Sequence, residues 1–297
     1  MKFFDLHKRL WQWVLLLFIS FIWGASFILM KRGLETFSPI QLGTMRVFFA
    51  FLFLLPLFFK RIKKFKKEQI KPLIIVAVVG NLFPAILFAL AQTKVSSSMA
   101  GILNTIFPLI ALIIGAVFYG AKTEKHRIFG IFVGLIGTIG IIFSEDASFS
   151  NDSILFSGFI VIAVFFYGIS INEIKFKLSE LDGITITVFA FMITGPISGI
   201  YLLFSDFSVA LETPDFQMNL IYIILLALGG SAISVSLFYL LLDYVDVIFA
   251  SLTTYIIPIF AILWGLFDNE KITFLQVLFM IVVFIGIYLV NKKKKTK

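Results

Sequence analysis

The stretch AGILNTIFPLIALIIG (Ala100–Gly115) places an asparagine, a threonine and a proline inside an otherwise apolar run. It returns 150 residues later as ASLTTYIIPIFAILWG (Ala250–Gly265), with five of sixteen aligned residues identical, including the proline and the closing glycine. Two apolar runs with the same polar, proline-containing interior predict that the chain carries an internal duplication.

The composition is typical of a membrane protein. Hydrophobic residues make up 60% of the 297 residues and charged residues 14%, whereas about a quarter of a soluble domain is charged. The chain has no cysteine, so disulfides and thiolate metal sites are excluded. Phosphate-binding glycine loops and helical metal motifs are also absent from the sequence, and we expect no enzyme activity, no metal and no cofactor.

Apolar runs long enough to cross a bilayer as helices recur along the whole chain. The ten predicted spans are 11–30, 38–59, 72–92, 97–119, 128–143, 154–172, 183–203, 219–242, 247–267 and 272–290. The first run also has the basic start and small-residue end of a signal peptide. Because its apolar part is long for that role, we expect an uncleaved helix.

The basic residues indicate the orientation of these spans. With a cytoplasmic N-terminus, the inward segments hold 20 of the 25 Lys and Arg residues and the outward segments hold four. The positive-inside rule therefore predicts ten spans with both termini in the cytoplasm. The runs 60–71 and 292–297 are predicted to face anionic lipid, and no nucleic-acid partner is expected.

The duplication extends beyond the opening stretch. VGNLFPAILFAL (79–90) aligns with GGSAISVSLFYL (229–240), and FIWGAS (21–26) resembles FFYGIS (165–170). These matches predict two five-helix repeats, 1–150 and 151–297. Since five is odd, the second repeat is inverted, an arrangement found in secondary transporters with a substrate site between the halves. The alternative is chance similarity between apolar segments.

The segment WGASFILMKRGLETFSPIQLGTMR (23–46), the paired proline-containing spans and the paired Glu-Lys openings at 124–125 and 270–271 resemble the drug/metabolite transporter superfamily, EamA type. One departure is that Pro108 to Glu124 is four residues longer than Pro258 to Glu270. The resemblance implies an all-α protein of ten helices with a central cavity, which moves small organic solutes.

We therefore expect a permease of the bacterial cytoplasmic (inner) membrane that moves metabolites by alternating access, with export of amino acids or related compounds favoured. A carrier for sugars, nucleosides or nucleotide sugars is the alternative, and a membrane-embedded enzyme or assembly factor is a remote one. The expected partners are a small-molecule substrate and the lipid bilayer, with a single chain as the transport unit.

The proline-containing spans offer two interpretations. Asn104, Pro108 and Gly115 share one helical face, and Thr254 and Pro258 repeat the spacing in the second half. Small residues and a kink indicate a close helix crossing, with the prolines as hinges. Alternatively, Asn104 and Thr254 line the cavity beside that crossing. Both interpretations stay open from the sequence.

Further cavity candidates are polar or aromatic residues inside the apolar spans, several of them at matching places in the two halves. Aromatic walls with a few polar groups are typical of small-molecule sites, although helix packing is the alternative for each residue. The full set of predicted substrate-binding residues is Trp23, Ser26, Arg46, Asn81, Phe88, Gln92, Asn104, Tyr167, Ser170, Ser231, Ser234, Tyr239 and Thr254.

Arg46 is the one basic residue inside a predicted span, about 12 Å from its start. No acidic residue lies in the interior of any span, so its expected partners are backbone carbonyls, Asn104, Gln92 or the carboxylate of a substrate. A structural role and a substrate-contacting role both remain open. The missing carboxylate disfavours a proton-coupled exporter of organic cations.

Overall fold

The structure is a computed structural model that describes residues 5–61, 66–121, 125–143, 151–245 and 247–291. These residues are almost entirely helical, and no strand occurs among them. Their helices form ten long bodies, which are α1 Arg9–Gly33, α2 Pro39–Arg61, α3 Lys67–Ala91, α4 Ser97–Phe118, α5 Lys125–Phe143, α6 Asn151–Lys177, α7 Gly183–Leu203, α8 Phe216–Leu242, α9 Val247–Phe267 and α10 Phe274–Asn291. A one-turn helix, Ser208–Leu211, precedes α8.

Seven of these bodies, α1 to α4 and α6 to α8, are long and apolar enough to cross a membrane. The other three carry shorter apolar stretches, at Ile128–Ile141, Thr253–Phe267 and Phe274–Gly286. The chain is therefore a multi-pass membrane protein. The predicted spans match the helical bodies to within five residues at each end, while the membrane crossing of all ten stays a prediction.

The helices of the two halves pack against each other in matching pairs. Helix α1 packs on α9 and α8, and its counterpart α6 packs on α4 and α3. Helix α2 packs on its own counterpart α7, and α5 packs on α10. Exchanging the first five helices with the last five leaves this set of pairs unchanged.

Close approaches at two glycines explain why α1 packs on α9 and α6 packs on α4. A Cβ atom added to Gly24 of α1 would lie 3.1 Å from the Ala261 nitrogen of α9, and one added to Gly168 of α6 would lie 3.4 Å from the Ala111 nitrogen of α4. Small residues at both contacts let the backbones cross at short range. The small-residue stripes therefore lie at helix crossings, and the hinge role of Pro108 and Pro258 stays a prediction.

Three helices lose regular α geometry in their middle. Val78–Leu82 of α3 and Leu226–Ile233 of α8 are π-helical, and Asn104–Ile106 of α4 is a 3₁₀ turn. Such irregular turns leave backbone groups less regularly paired and often occur at functional sites. All three segments contribute residues to the cavity described below.

One end of the bundle is held together by an acidic loop, which follows α9. Glu270 accepts hydrogen bonds from the backbone nitrogen and the hydroxyl of both Ser97 (3.0 and 2.7 Å) and Ser98 (2.9 and 2.7 Å) at the start of α4. Lys31, near the end of α1, lies 2.9 Å from Glu270 and 2.5 Å from Asp268. We call this group the Glu270 cluster.

Glu124 and Glu270 each stand just before a terminal apolar run in the sequence, where a negative charge would stabilise the start of a helix. Glu270 does so, but at α4 rather than at α10, which it precedes in the chain. The start of α10 is capped by its own pair, in which Gln276 accepts from the Thr273 nitrogen at 2.9 Å. Glu124 lies outside the described residues.

Candidate functional site

A cavity of about 140 Å³ lies between the two halves. Helices α1, α2, α3, α4, α6, α7, α8 and α9 all contribute to its wall, whereas no described side chain of α5 or α10 does. A cavity of this size holds several waters or a small organic molecule. Its place at the meeting point of both halves makes it the candidate substrate site.

The charge of the cavity comes from Arg46 on α2. Its Nε donates a hydrogen bond of 2.7 Å to the hydroxyl of Ser231, which lies in the π-helical segment of α8. The Tyr167 phenol is near enough for an electrostatic interaction with the guanidinium. None of the cavity-lining residues in the described part of the chain is acidic.

Aromatic rings form most of the apolar wall in two groups. Phe88 stacks on Tyr167 with a centroid distance of 6.0 Å, and Phe107 meets Tyr167 edge-on at 6.4 Å. In the second group, Trp23 contacts Phe238 with a centroid distance of 5.1 Å. Aromatic walls with a few polar groups suit the apolar body of a small molecule.

Two backbone carbonyls near the irregular helices are bound by cavity side chains. Trp23 Nε1 donates to the Gly230 carbonyl at 2.9 Å, and Asn81 Nδ2 donates to the Val76 carbonyl at 2.8 Å. The first bond joins the two halves at the π-helical segment of α8. The second uses the Asn81 amide nitrogen, so that the amide oxygen remains an acceptor available to a ligand.

The structure brings most of the predicted site residues to one place. The eleven that line the cavity are Trp23, Ser26, Arg46, Asn81, Phe88, Asn104, Tyr167, Ser170, Ser231, Tyr239 and Thr254. Their role in binding a substrate stays a prediction.

Gln92 and Ser234 were also predicted, but the structure does not place them on the wall. Gln92 is buried at the end of α3, where its amide donates to the Phe27 carbonyl at 2.9 Å. Ser234 is fully buried at the end of the π-helical segment. Both side chains therefore pack between helices and do not face the cavity.

Several apolar residues of the wall were not predicted from the sequence, among them Phe27, Phe107, Phe191 and Phe238. Helical spacing could have found two of them, since Phe107 lies three residues after Asn104 and Phe27 lies four after Trp23. Phe191 had no such signal, because no polar candidate was assigned to α7.

The residues around the cavity do not suggest a metal centre. Among the described residues, no group of three or more His, Asp or Glu side chains is placed to hold a metal ion. What the wall offers is one cation, several amide and hydroxyl groups and a large aromatic surface, an arrangement suited to binding a small organic molecule.

The sequence pattern of the EamA-like transporter family matches residues 10–143 and, a second time, residues 156–292. The chain belongs to the EamA-like transporter family. This family is part of the drug/metabolite transporter superfamily, so the resemblance drawn from the sequence is confirmed.

Several relatives of this EamA-like transporter are known by name only as transporters. The uncharacterized transporter YoaV of Bacillus subtilis is 20% identical over 91% of this chain and 93% of its own length. An uncharacterized transporter of Archaeoglobus fulgidus is 23% identical over 95% and 99%. The uncharacterized inner membrane transporter YedA of Escherichia coli is 25% identical over 82% and 78%.

A solved crystal structure of a protein has the same fold. It matches with a TM-score of 0.64 and 13% identity over 95% of this chain and 96% of the other. The likeness supports the architecture alone, since identity at this level carries no information on substrate.

Proposed function

We propose that this EamA-like transporter is a secondary transporter with ten membrane spans. It moves small organic metabolites, with amino acids and related compounds favoured, across a cytoplasmic membrane. The observation that carries the proposal is one mixed polar and aromatic cavity built from both halves, whose helices pack in interchangeable pairs. The two matches to one family pattern support the same duplication.

The two halves form inverted repeats with both termini in the cytoplasm. The pairing of α1 with α9 and of α6 with α4 supports this arrangement, because related contacts recur with the halves exchanged. In such a fold the two halves have the same shape but face opposite sides of the membrane. Exchanging their conformations permits alternating access around a fixed site. The charge distribution favours this orientation, and labelling of single cysteines introduced near residues 94 and 297 would test it.

The Glu270 cluster acts as one gate of this cycle. It joins the ends of α1 and α9 to the start of α4, and in the proposed orientation it closes the outer side. Opening that side requires these contacts to separate. On the opposite face, Arg61 at the end of α2 lies 2.5 Å from Asp182 at the start of α7 and joins the halves in the same way.

Counterflow in liposomes tests the proposal. Purified protein is loaded with one unlabelled metabolite and exposed to labelled amino acids, nucleosides and sugars in separate reactions. We expect exchange with at least one class, and we expect Asn104→Ala or Thr254→Ala to reduce it, since both side chains line the cavity. Absence of exchange with every class would contradict the proposal.

A phosphorylated substrate is disfavoured. Arg46 is the one basic residue among those lining the cavity in the described part of the chain, whereas a phosphate dianion needs several cationic or N–H groups. Unphosphorylated sugars and nucleosides remain the alternative class in the counterflow panel.

A further inference from the structure

The Arg46 side chain enters the cavity with its hydrogen-bonding capacity mostly unused. A guanidinium has five N–H donors, and among the described residues its hydrogen-bond acceptor is the Ser231 hydroxyl, which pairs with Nε. The two terminal nitrogens, with four of those donors, have no hydrogen-bond acceptor within the described residues.

The positive charge also lacks an ionic partner among the described residues. None of those that line the cavity is acidic, and no described salt bridge includes Arg46. A charge away from bulk water is costly unless it is paired, and intramembrane ionisable residues mark substrate or ion pathways for this reason. The cavity is therefore complementary to a single negative charge.

The geometry of the unused donors selects the kind of anion. A planar guanidinium matches a carboxylate through two parallel N–H···O bonds. One cation balances one carboxylate, whereas a phosphate dianion would leave excess charge in an apolar wall. The Ser231 hydroxyl holds the Nε edge and so leaves the terminal nitrogens for a ligand.

The rest of the wall determines what carries the carboxylate. Phe88 and Phe107 each make a ring contact with Tyr167 beside the cavity, and Trp23 with Phe238 forms a second aromatic group. Polar acceptors are few, and those available are amide and hydroxyl oxygens rather than charged groups. An apolar or aromatic body fits this surface.

We infer that the cavity selects small monocarboxylates with an apolar or aromatic body, and that Arg46 is the specificity-determining residue that binds the carboxylate. The inference rests on the proposed function, because it names the substrate class of the same site. Amino acids and their oxo-acid analogues share this chemistry and differ only in the group next to the carboxylate.

Binding to the full chain in lipid nanodiscs tests the inference with three probes that share a phenyl ring on a two-carbon chain. The carboxylate is the only charged group of phenylpyruvate, L-phenylalanine has a carboxylate and an ammonium group, and the ammonium group is the only charged group of 2-phenylethylamine. We expect at least one of the two acids to bind at least about tenfold more tightly than the amine, and their ratio shows which of the two sources is preferred. Equal or tighter binding of the amine, or no binding of either acid, would overturn the inference.

Variants locate the effect at Arg46. Arg46→Gln should weaken acid binding about ten- to a hundredfold, as expected for a lost hydrogen bond to a charged group, and Arg46→Lys should restore part of it. Arg9→Gln is the matched control, since it removes an exposed guanidinium at the start of α1 that bonds Gln12 and does not line the cavity, and should leave acid binding unchanged. Unchanged acid binding in a folded Arg46→Gln protein would refute the assignment.

Two readouts keep the inference separate from the proposed function. If Arg46→Gln does not fold, the selectivity of the wild-type protein between acid and amine still decides. Acid binding without counterflow would contradict transport and leave the carboxylate site standing. If neutral solutes or amines exchange as efficiently as the acids, transport is supported and the carboxylate site is contradicted.

Discussion

Replacing Glu270 with glutamine tests the Glu270 cluster most directly. The carboxylate accepts four hydrogen bonds from Ser97 and Ser98 and pairs with Lys31. Glutamine has nearly the same shape, but its NH₂ group would face a donor where an acceptor is needed, and it has no charge for Lys31 or for the helix start.

The expected loss of stability in Glu270→Gln follows from the pKa shift of the Glu270 carboxyl. Burial alone would raise the pKa of Glu270, but the hydrogen bonds from Ser98, Lys31 and Ser97 outweigh it and lower the pKa from 4.5 to about 2. That difference corresponds to about 3 kcal/mol. Screening by solvent at the end of the bundle reduces it to about 2 kcal/mol, so Glu270→Gln should lower the midpoint of thermal unfolding by several degrees.

The same contacts predict a pH dependence. Because the folded pKa of Glu270 is depressed, its stabilising contribution is fully present above about pH 4.5, the ordinary value. It is lost as the pH falls from there towards 2. Glu270→Gln should remove this part of the acid sensitivity, so that the two proteins converge in stability at low pH.

Thermal unfolding in detergent measures the stability of each variant, and the rate of thiol labelling measures how readily the gate opens. The chain has no cysteine, so Asn104→Cys provides a single reporter in the cavity. In sealed vesicles of known orientation, we expect Glu270→Gln to speed its reaction with an impermeant reagent applied on the side of the Glu270 cluster. Glu35→Gln is the control, since Glu35 pairs with Arg32 on the surface and should change stability by less than about 0.5 kcal/mol.

Equal unfolding midpoints for Glu270→Gln and Glu35→Gln would refute the energetic reasoning. Lower stability with unchanged labelling would leave the cluster as a structural contact and contradict its role as a gate.

Two further predictions concern helix packing. Gly80→Ala should strongly reduce the yield of folded protein, because the new Cβ would lie 2.6 Å from Ser170 Cβ. In the control Gly158→Ala the new Cβ meets open space, so this variant should be neutral or stabilising by up to about 1 kcal/mol. Size-exclusion profiles and midpoints of thermal unfolding compare the two variants. Asp182→Ala should destabilise the protein by about 1 kcal/mol or more, because Asp182 accepts a hydrogen bond of 3.0 Å from the Thr185 nitrogen at the start of α7 and pairs with Arg61. Asp182→Asn should retain most of this cap, so its midpoint of thermal unfolding should fall less.

The architecture was predictable because its signals are local and repeated. Each helical body coincides with an apolar run, and the small-residue faces of the two proline-containing spans predicted close helix crossings. Gly24 and Gly168 lie at those crossings, against Ala261 and Ala111. Polar side chains inside apolar helices were also informative, since eleven of thirteen predicted residues line one cavity.

The remaining features depend on partners distant in sequence. Glu270 was expected at a helix start, but no local rule indicates that the helix belongs to the other half of the chain. Gln92 was predicted to line the cavity, but in the fold its amide donates a hydrogen bond to the Phe27 carbonyl of α1. The π-helical turns at Val78–Leu82 and Leu226–Ile233 were not predicted from the sequence, although Pro84 closely follows the first and Gly229 and Gly230 lie within the second.

The duplicated fold and the single arginine have different consequences for transport. In the proposed inverted arrangement, matching pairs of helices would make the two ends of the bundle nearly equivalent, so that access could alternate without a change in the site itself. Ser26 faces Gly230 as Ser170 faces Gly80, which shows how closely the cavity wall follows this equivalence. Arg46 has no charged counterpart in α7. A substrate held by Arg46 would therefore keep one orientation relative to α2 and α8 in both states, so its carboxylate would cross the membrane without leaving its partner until release.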